Sequence, residues 1–223
     1  MQTRRQLLSS AFAVTALAGF GCLAAGSGLA ATAPALPPLS DQDKADVARV
    51  EAYLNSFKTM TGNFLQVAPD GSLSDGKLYL RRPGRLRFEY APPSPVLVVA
   101  DGVWVIFHDK QLGQTDRVPL GSTPLATLVQ DDIKLNGRVR VRGVQRSPGA
   151  LRITMFDSDK PEEGRLVLVF SDKPLELRQW QVTDAQAQVT TLTISNVELN
   201  QPLSANLFAF GESAPSGLDK AAP

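Results

Sequence analysis

Residues 76–90, GKLYLRRPGRLRFEY, form two runs of alternating apolar and polar side chains around a central Arg82-Pro83-Gly84. Alternation with a period of two is typical of a β-strand, whose successive side chains point to opposite faces of a sheet. Proline cannot donate a hydrogen bond to a neighbouring strand, and glycine tolerates turn conformations. The motif therefore predicts two antiparallel strands joined by a tight turn or a sharp corner.

Arg82 is the unusual residue of this hairpin, because the alternation places it on the same face as Leu78 and Leu80. A guanidinium carries five donors and keeps its charge, so a buried Arg82 would need several acceptors around it. Alternatively, the strand ends one residue earlier and Arg82 is a solvated turn residue. The alternation alone leaves both interpretations open.

The period of two continues through most of the chain, interrupted by turn signals such as Asp101-Gly102. Short strands with tight connections form an antiparallel meander, which must close into a barrel or cover one face to protect its edges. Eleven strands are predicted, at residues 59–67, 76–82, 85–90, 96–100, 103–108, 112–118, 138–145, 151–156, 165–170, 177–183 and 188–197.

Two helices are also predicted. Ser40 and Asp43 have the spacing of a capping box, and apolar residues then recur with helical spacing to about residue 58. Between the two groups of strands, Thr123 is a predicted N-cap with Pro124 at the first helical position. Because this second helix is too short to be stable alone, it must pack on other elements. It would form a lid over the mouth of a curved sheet or, alternatively, a crossover helix at one edge.

The first 33 residues predict an export signal, because the Arg4-Arg5 pair precedes an apolar stretch that ends in a candidate cleavage site at Ala33. The arginine pair also suits a twin-arginine signal. We expect a periplasmic protein with a signal at 1–33, one domain at 34–210 and a flexible tail at 211–223. Removing Arg4 and Arg5 leaves 21 of the 23 basic residues against 22 acidic ones, which gives no indication of nucleic-acid binding.

Few residues could support catalysis. The only histidine, His108, has no G-x-S-x-G nucleophile motif to act on, and the only cysteine, Cys22, lies in the predicted signal. A zinc site would need further histidine, cysteine or clustered acidic ligands. We therefore predict no catalytic residue, no metal and no cofactor. Apolar residues are abundant by comparison, and they either fill a closed barrel or line a hollow for an apolar ligand.

The chain resembles the LolA-type periplasmic lipoprotein carriers. The resemblance rests on the motif at 76–90 and on VVADGVWVIF at 98–107, and it extends over residues 39–210 through weaker matches at 62–66, 122–125 and 177–210. It implies a mainly β fold with an α lid, in which helices cover an incomplete, open antiparallel β-barrel of about eleven strands. It also implies a monomer that takes acylated lipoproteins from an inner-membrane ABC transporter to an outer-membrane acceptor.

For individual residues, the resemblance implies a lid latch and an acyl-chain site. Arg82 precedes the motif proline, where the family's arginine bonds the backbone of the lid helices and keeps the empty carrier closed. This favours the buried interpretation of Arg82. Leu86 and Phe88 match interior positions that face the acyl chains. The expected acyl-chain set is Phe64, Leu78, Leu80, Leu86, Phe88, Tyr90, Trp104, Ile106, Leu125 and Leu128.

Two other functions on the same fold stay open from the sequence. If Cys22 were lipidated, the chain would be a lipoprotein acceptor anchored in the outer membrane, although the residues before Cys22 match a lipid-attachment motif poorly. A lipid-sensing regulatory module that binds a partner protein is the other alternative. An acylated mature N terminus, detected by mass spectrometry, would favour the acceptor over the carrier.

Overall fold

The computed structural model describes residues 38–211, and one antiparallel sheet dominates them. Its strands are β1 (Thr59–Val67), β2 (Leu73–Arg81), β3 (Arg85–Tyr90), β4 (Val96–Asp101), β5 (Trp104–Asp109), β6 (Gln114–Pro119), β7 (Val139–Ser147), β8 (Ala150–Asp157), β9 (Gly164–Asp172), β10 (Leu175–Asp184) and β11 (Val189–Leu199). All eleven predicted strands are confirmed, with boundaries that differ by at most three residues. The predicted signal at 1–33, which includes Cys22, and the predicted tail beyond Gly211 lie outside the described residues.

The strands pair in the order β6-β5-β4-β3-β2-β1-β11-β10-β9-β8-β7. We call β1 to β6 the first half of the sheet and β7 to β11 the second half, and the pairing of β1 with β11 joins them. The outermost strands β6 and β7 do not pair with each other, so the sheet does not close. The predicted mainly β fold with an incomplete antiparallel barrel is therefore confirmed.

The inner face of the sheet, defined as the face toward the helices, is apolar. In the first half, equivalent residues of neighbouring strands form rows, because Leu80 pairs with Leu86 and Leu86 pairs with Ala100. The next row has the same character and contains Leu78, Phe88 and Val98. None of these six side chains is more than 5% exposed, so the inner face is the centre of the hydrophobic core.

Helix α1 (Asp41–Asn55) covers part of this inner face. The predicted capping box is confirmed, since Ser40 Oγ accepts a hydrogen bond from the Asp43 backbone N–H at 3.1 Å and the Asp43 carboxylate accepts one from the Ser40 N–H at 3.0 Å. Val50 and Leu54 bring the apolar stripe of the helix into the core. No helix within residues 38–211 is long and apolar enough to cross a membrane.

Helix α2 (Leu125–Val129) has only five residues and carries no side-chain cap. The prediction that Thr123 caps it is wrong, because the Thr123 hydroxyl donates backward to the carbonyl of Leu120 at 2.8 Å. The carbonyl of Val129 instead accepts a hydrogen bond from the Gly84 N–H at 2.7 Å, in the β2–β3 turn. Since β2 and β3 are interior strands, α2 occupies the position of a lid and not that of an edge crossover.

The C-terminal part of the described chain covers the outer face of β3 and β4. The 3₁₀ turn Ala205–Phe208 packs there, and Arg87 Nη1 donates a hydrogen bond to the carbonyl of Leu207 at 3.1 Å. Leu207 and Phe208 are both buried. This segment therefore packs on the outer face of the first half of the sheet.

Candidate functional site

Arg82 lies at the junction of the sheet and both helices, and it is only 6% exposed. Its Nε donates to the carbonyl of Leu128 in α2 at 3.0 Å. Its Nη1 donates to the carbonyl of Phe57 at 2.9 Å and also to that of Leu54, at the end of α1. The solvated-turn interpretation of Arg82 is therefore wrong, and one side chain connects both helices to the hairpin.

The environment explains why a guanidinium is suited to this position. The last carbonyls of a helix have no partner within the helix and carry the negative end of its dipole. Helix α1 has no basic residue in its own last turn, so the Arg82 guanidinium supplies the positive charge from the sheet. The ring of Phe57 lies against it, with Arg82 Cζ 4.5 Å from the ring centroid, which adds a cation–π contact.

The charge of Arg82 is retained despite its burial. Burial lowers the pKa of Arg82 to about 10, and the carboxylate of Asp131 opposes this shift. The group therefore remains protonated at neutral pH. A buried charge that loses its hydrogen-bond partners is costly, so Arg82 and the three carbonyls stabilise one another only while both helices stay in place.

A second set of bonds holds the segment that follows α2. Asn55 Nδ2 donates to the carbonyl of Ile133 at 3.0 Å, and Asn55 Oδ1 accepts from the Ile133 N–H at 2.9 Å. Lys58 Nζ forms an ion pair with Asp131 at 2.8 Å. These bonds tie residues 130–133 to the end of α1, so the two helices form one roof over the inner face.

The turn between β2 and β3 requires glycine at position 84. Gly84 has a φ of +77°, a left-handed conformation that other residues rarely adopt. A Cβ atom at this position would also lie 2.9 Å from Gly102 Cα in the neighbouring turn. The absence of a side chain therefore lets the two turns pack together, and the Gly84 N–H donates to the carbonyl of Val129 in α2.

An aromatic cluster lies beneath the roof and crosses from one half of the sheet to the other. Phe64 makes edge-to-face contacts with Phe88 and Tyr90, at centroid distances of 5.3 and 5.0 Å, and Phe88 contacts Trp180 of β10 at 6.2 Å. Burial raises the pKa of Tyr90 to about 12, so its hydroxyl stays neutral and donates to Gln66 Oε1 at 2.7 Å. Trp180 is not in the predicted set, because strict alternation from Leu177 would turn it outward; a register shift between Leu177 and Gln179 turns it inward instead.

Eight of the ten residues expected to contact acyl chains belong to the inner core or pack against it. Trp104 and Ile106 do not, because the inward residues of β5 are Val105 and Phe107. Ile106 pairs with Val99 on the outer face, and Trp104 is 41% exposed. These two residues are therefore removed from the predicted acyl-chain set. The inward residues of the set are Phe64, Leu78, Leu80, Leu86, Phe88, Tyr90, Leu125 and Leu128.

The fold and the site together define a class of protein: an open antiparallel half-barrel with helices that roof its apolar face and an arginine that ties them down. A family model described as outer membrane lipoprotein carrier protein LolA matches residues 55–211. The chain therefore belongs to the LolA family. The family is one of carriers, and the chain is not an enzyme. Within residues 38–211, no group of three potential metal ligands comes together.

Individual relatives agree with this assignment. An outer-membrane lipoprotein carrier protein of Nitrosospira multiformis is 29% identical, over 78% of this chain and 86% of the relative. Its counterpart in Legionella pneumophila strain Lens is 31% identical, over 76% of this chain and 86% of the relative. That of Dechloromonas aromatica is 31% identical, over 86% of this chain and 94% of the relative.

Proposed function

We propose that this protein is a monomeric periplasmic carrier that binds the acyl chains of lipoproteins and carries them from an inner-membrane ABC transporter to an outer-membrane acceptor. Membership of the LolA family and the names of its relatives support lipoproteins as the cargo. The observation in this chain that carries the proposal is Arg82, whose guanidinium connects the sheet to the carbonyls of both roof helices.

In this proposal, the acyl chains lie against the inner face after α2 has moved away from it. Leu86 and Phe88 are buried on that face, and Leu128 is buried on the side of α2 that packs into the same core. A saturated acyl chain forms no hydrogen bonds. It therefore binds best to a large apolar surface of the protein that would otherwise be exposed to water. Displacing α2 would create such a surface, and a fatty acyl chain would cover it again.

The energies involved allow a reversible cycle. Hydrogen bonds from a charged donor contribute on the order of 1.5 to 3 kcal/mol each, so the three bonds of Arg82 stabilise the closed roof by several kcal/mol. Each buried methylene contributes about 0.8 kcal/mol, so roughly a dozen methylenes from one acyl chain supply a comparable free energy. Because the two terms are similar in size, neither the closed nor the loaded form would be irreversible.

Native mass spectrometry of the purified chain tests this function. It would be mixed with a triacylated lipoprotein and, separately, with the same lipoprotein lacking its lipidated cysteine. We expect a one-to-one complex with the acylated form alone, because the acyl chains provide the apolar area for binding. Equal binding of both forms would mean that the protein part of the cargo is recognised, and no complex with either would rule out the carrier role.

A further inference from the structure

Strands β7 and β8, in the second half of the sheet, contain an unusual concentration of positive charge. The stretch from Arg138 to Phe156 has five arginines and no aspartate or glutamate, in a chain whose 23 basic residues are nearly balanced by 22 acidic ones. Two of the five have carboxylate partners within the described part of the chain. Arg138 pairs with Asp157 at 2.8 Å, and Arg146 pairs with carboxylates of α1. The remaining three are Arg140, Arg142 and Arg152.

These three arginines lie on the outer face of the second half of the sheet. In β8, Leu151, Ile153 and Met155 are buried in the inner core, so Arg152 and Phe156 face outward. Arg140 pairs with Phe156 in the β7–β8 register. The Arg142 guanidinium lies over the ring of Phe156, with its Cζ 5.1 Å from the centroid.

A fourth arginine extends this surface onto β9. Arg165 directly precedes Leu166, which pairs with Met155, so Arg165 lies beside Phe156 on the outer face. None of the four forms an ion pair with a carboxylate within residues 38–211; Arg152 donates to Gln181 Oε1 at 3.2 Å. We call these four residues, Arg140, Arg142, Arg152 and Arg165, the outer basic patch.

Acidic residues also lie near the patch, in the connection between β8 and β9. One of them, Glu163, pairs with Lys160 at 2.7 Å.

Protection of the sheet edge is an alternative explanation for the arginines of β7, because charged residues on an edge strand prevent pairing with another sheet. That explanation does not extend to Arg152 and Arg165, because β8 and β9 are interior strands.

We propose that the outer basic patch binds the phosphate headgroups of anionic phospholipids and brings the carrier to a membrane surface. The proposal rests on the proposed function, because a carrier of acylated cargo must work next to membranes. The planar fork of arginine matches phosphate oxygens. Side chains that stand outward from neighbouring strands present several such forks side by side, which suits a layer of repeated headgroups better than a single acidic residue of a protein partner.

Vesicle sedimentation tests the proposal with the purified chain. The vesicles would contain equal parts phosphatidylglycerol and phosphatidylcholine, and phosphatidylcholine vesicles would control for insertion of apolar groups. Each basic residue near an anionic surface contributes about fivefold to binding, so the double variant Arg140→Gln/Arg142→Gln is expected to bind about 25-fold more weakly. Binding of the unmodified chain should also fall as salt is added.

The control variant Arg85→Gln/Arg117→Gln removes the same charge from the first half of the sheet, outside the patch. It should bind the anionic vesicles like the unmodified chain. An equal loss in both double variants would show that only net charge matters, and no binding to anionic vesicles would overturn the proposal. Patch-dependent binding to polyglutamate without binding to the vesicles would instead assign the patch to an acidic protein.

Acyl-cargo binding, measured on the same variants by native mass spectrometry, separates this proposal from the proposed function. Loss of vesicle binding with cargo binding unchanged is the expected result for Arg140→Gln/Arg142→Gln. A chain that binds anionic vesicles through the patch but never binds acylated cargo would leave the membrane contact in place and refute the carrier role.

Discussion

Helices α1 and α2 cover the same face of the sheet, but different interactions hold them there. Helix α1 has fifteen residues and a capping box, and Arg146 of β7 forms ion pairs with its Asp43 and Asp46 at 2.8 and 2.6 Å. Helix α2 has five residues and no side-chain cap, and it depends on hydrogen bonds from Arg82 and Gly84 to its carbonyls. Helix α1 is therefore anchored by its own side chains, whereas α2 is held by hydrogen bonds from residues of the β2–β3 hairpin.

This difference indicates which part of the roof moves first. Isolated helices shorter than about 12 residues are marginal in water, so α2 has almost no stability apart from its contacts. Helix α1 has a second anchor, since Arg49 pairs with Asp172, the last residue of β9, at 2.9 Å. Loss of the Arg82 bonds should thus release α2 while α1 stays on the sheet. In the proposed carrier cycle, α2 would be the moving lid and α1 the fixed one.

The largest effect is expected from Arg82→Leu, which breaks the link between the two helices. The variant should fold, because leucine would extend the apolar row formed by Leu78 and Leu80. The carbonyls left without a donor should lower the free energy of opening of α2 by about 2 to 3 kcal/mol. The amides of α2 should then exchange their hydrogens roughly 100-fold faster. Exchange in the first turns of α1 should not change, and transfer of cargo should be impaired.

Arg81→Leu is the matched control for this experiment. Arg81 is the adjacent arginine, but its Nη1 donates to the carbonyl of Leu203 at 3.1 Å, away from both helices. It should leave α2 exchange and cargo transfer close to those of the unmodified chain. If Arg82→Leu transferred cargo normally, the latch role of Arg82 would be wrong.

The anchor of α1 can be weakened with Asp46→Asn. Asp46 is 7% exposed and accepts hydrogen bonds from both Arg146 and Arg49. Loss of its charge should lower the free energy of unfolding by about 1 to 2 kcal/mol, measured by denaturant titration. Asp41→Asn, on the exposed side of the same helix, should have little effect. Equal effects of both substitutions would show that the Arg146 pairs do not anchor α1.

Asn55→Ala weakens the attachment of the residues after α2 to α1 and leaves the hydrogen bonds of Arg82 in place. The substitution removes both hydrogen bonds to Ile133 and should lower the local opening free energy of residues 131–133 by about 1 kcal/mol. Hydrogen exchange should reveal the change in this segment alone. Asn63→Ala, at an exposed position of β1, is the control. Faster exchange throughout α1 would contradict separate attachment of the two helices.

The smallest effect is expected from pH. The hydrogen bond from Ser40, followed by that from Arg146, holds the pKa of Asp43 below its usual value of 3.8. A lowered folded-state pKa stabilises the fold above pH 3.8, and this contribution is lost as the pH falls through the folded-state pKa. Asp43→Asn should therefore reduce the loss of stability as the pH falls below 3.8. An unchanged pH dependence would mean that other carboxylates dominate it.

Local patterns predicted most of the fold but did not assign every side chain to a face. The strands and the capping box of α1 depend on residues close together in the chain, so alternation and helical spacing could locate them. The face on which a side chain lies is harder to predict than the position of the strand. A shift of one residue in the register moves every side chain to the opposite face of the sheet. This is why the apolar residues Trp104 and Ile106 were predicted to face inward although the pairing of β5 with β4 turns them outward.

The sequence by itself determined where the strands lie, where α1 begins and that Arg82 is out of place in an apolar row, because each of these depends on neighbouring residues. Only the tertiary structure decided what surrounds Arg82. The carbonyls that accept its hydrogen bonds come from Leu54, Phe57 and Leu128, which are far from it in the chain. Such contacts form only when both helices fold over the sheet, so the spacing of residues along the chain cannot predict them.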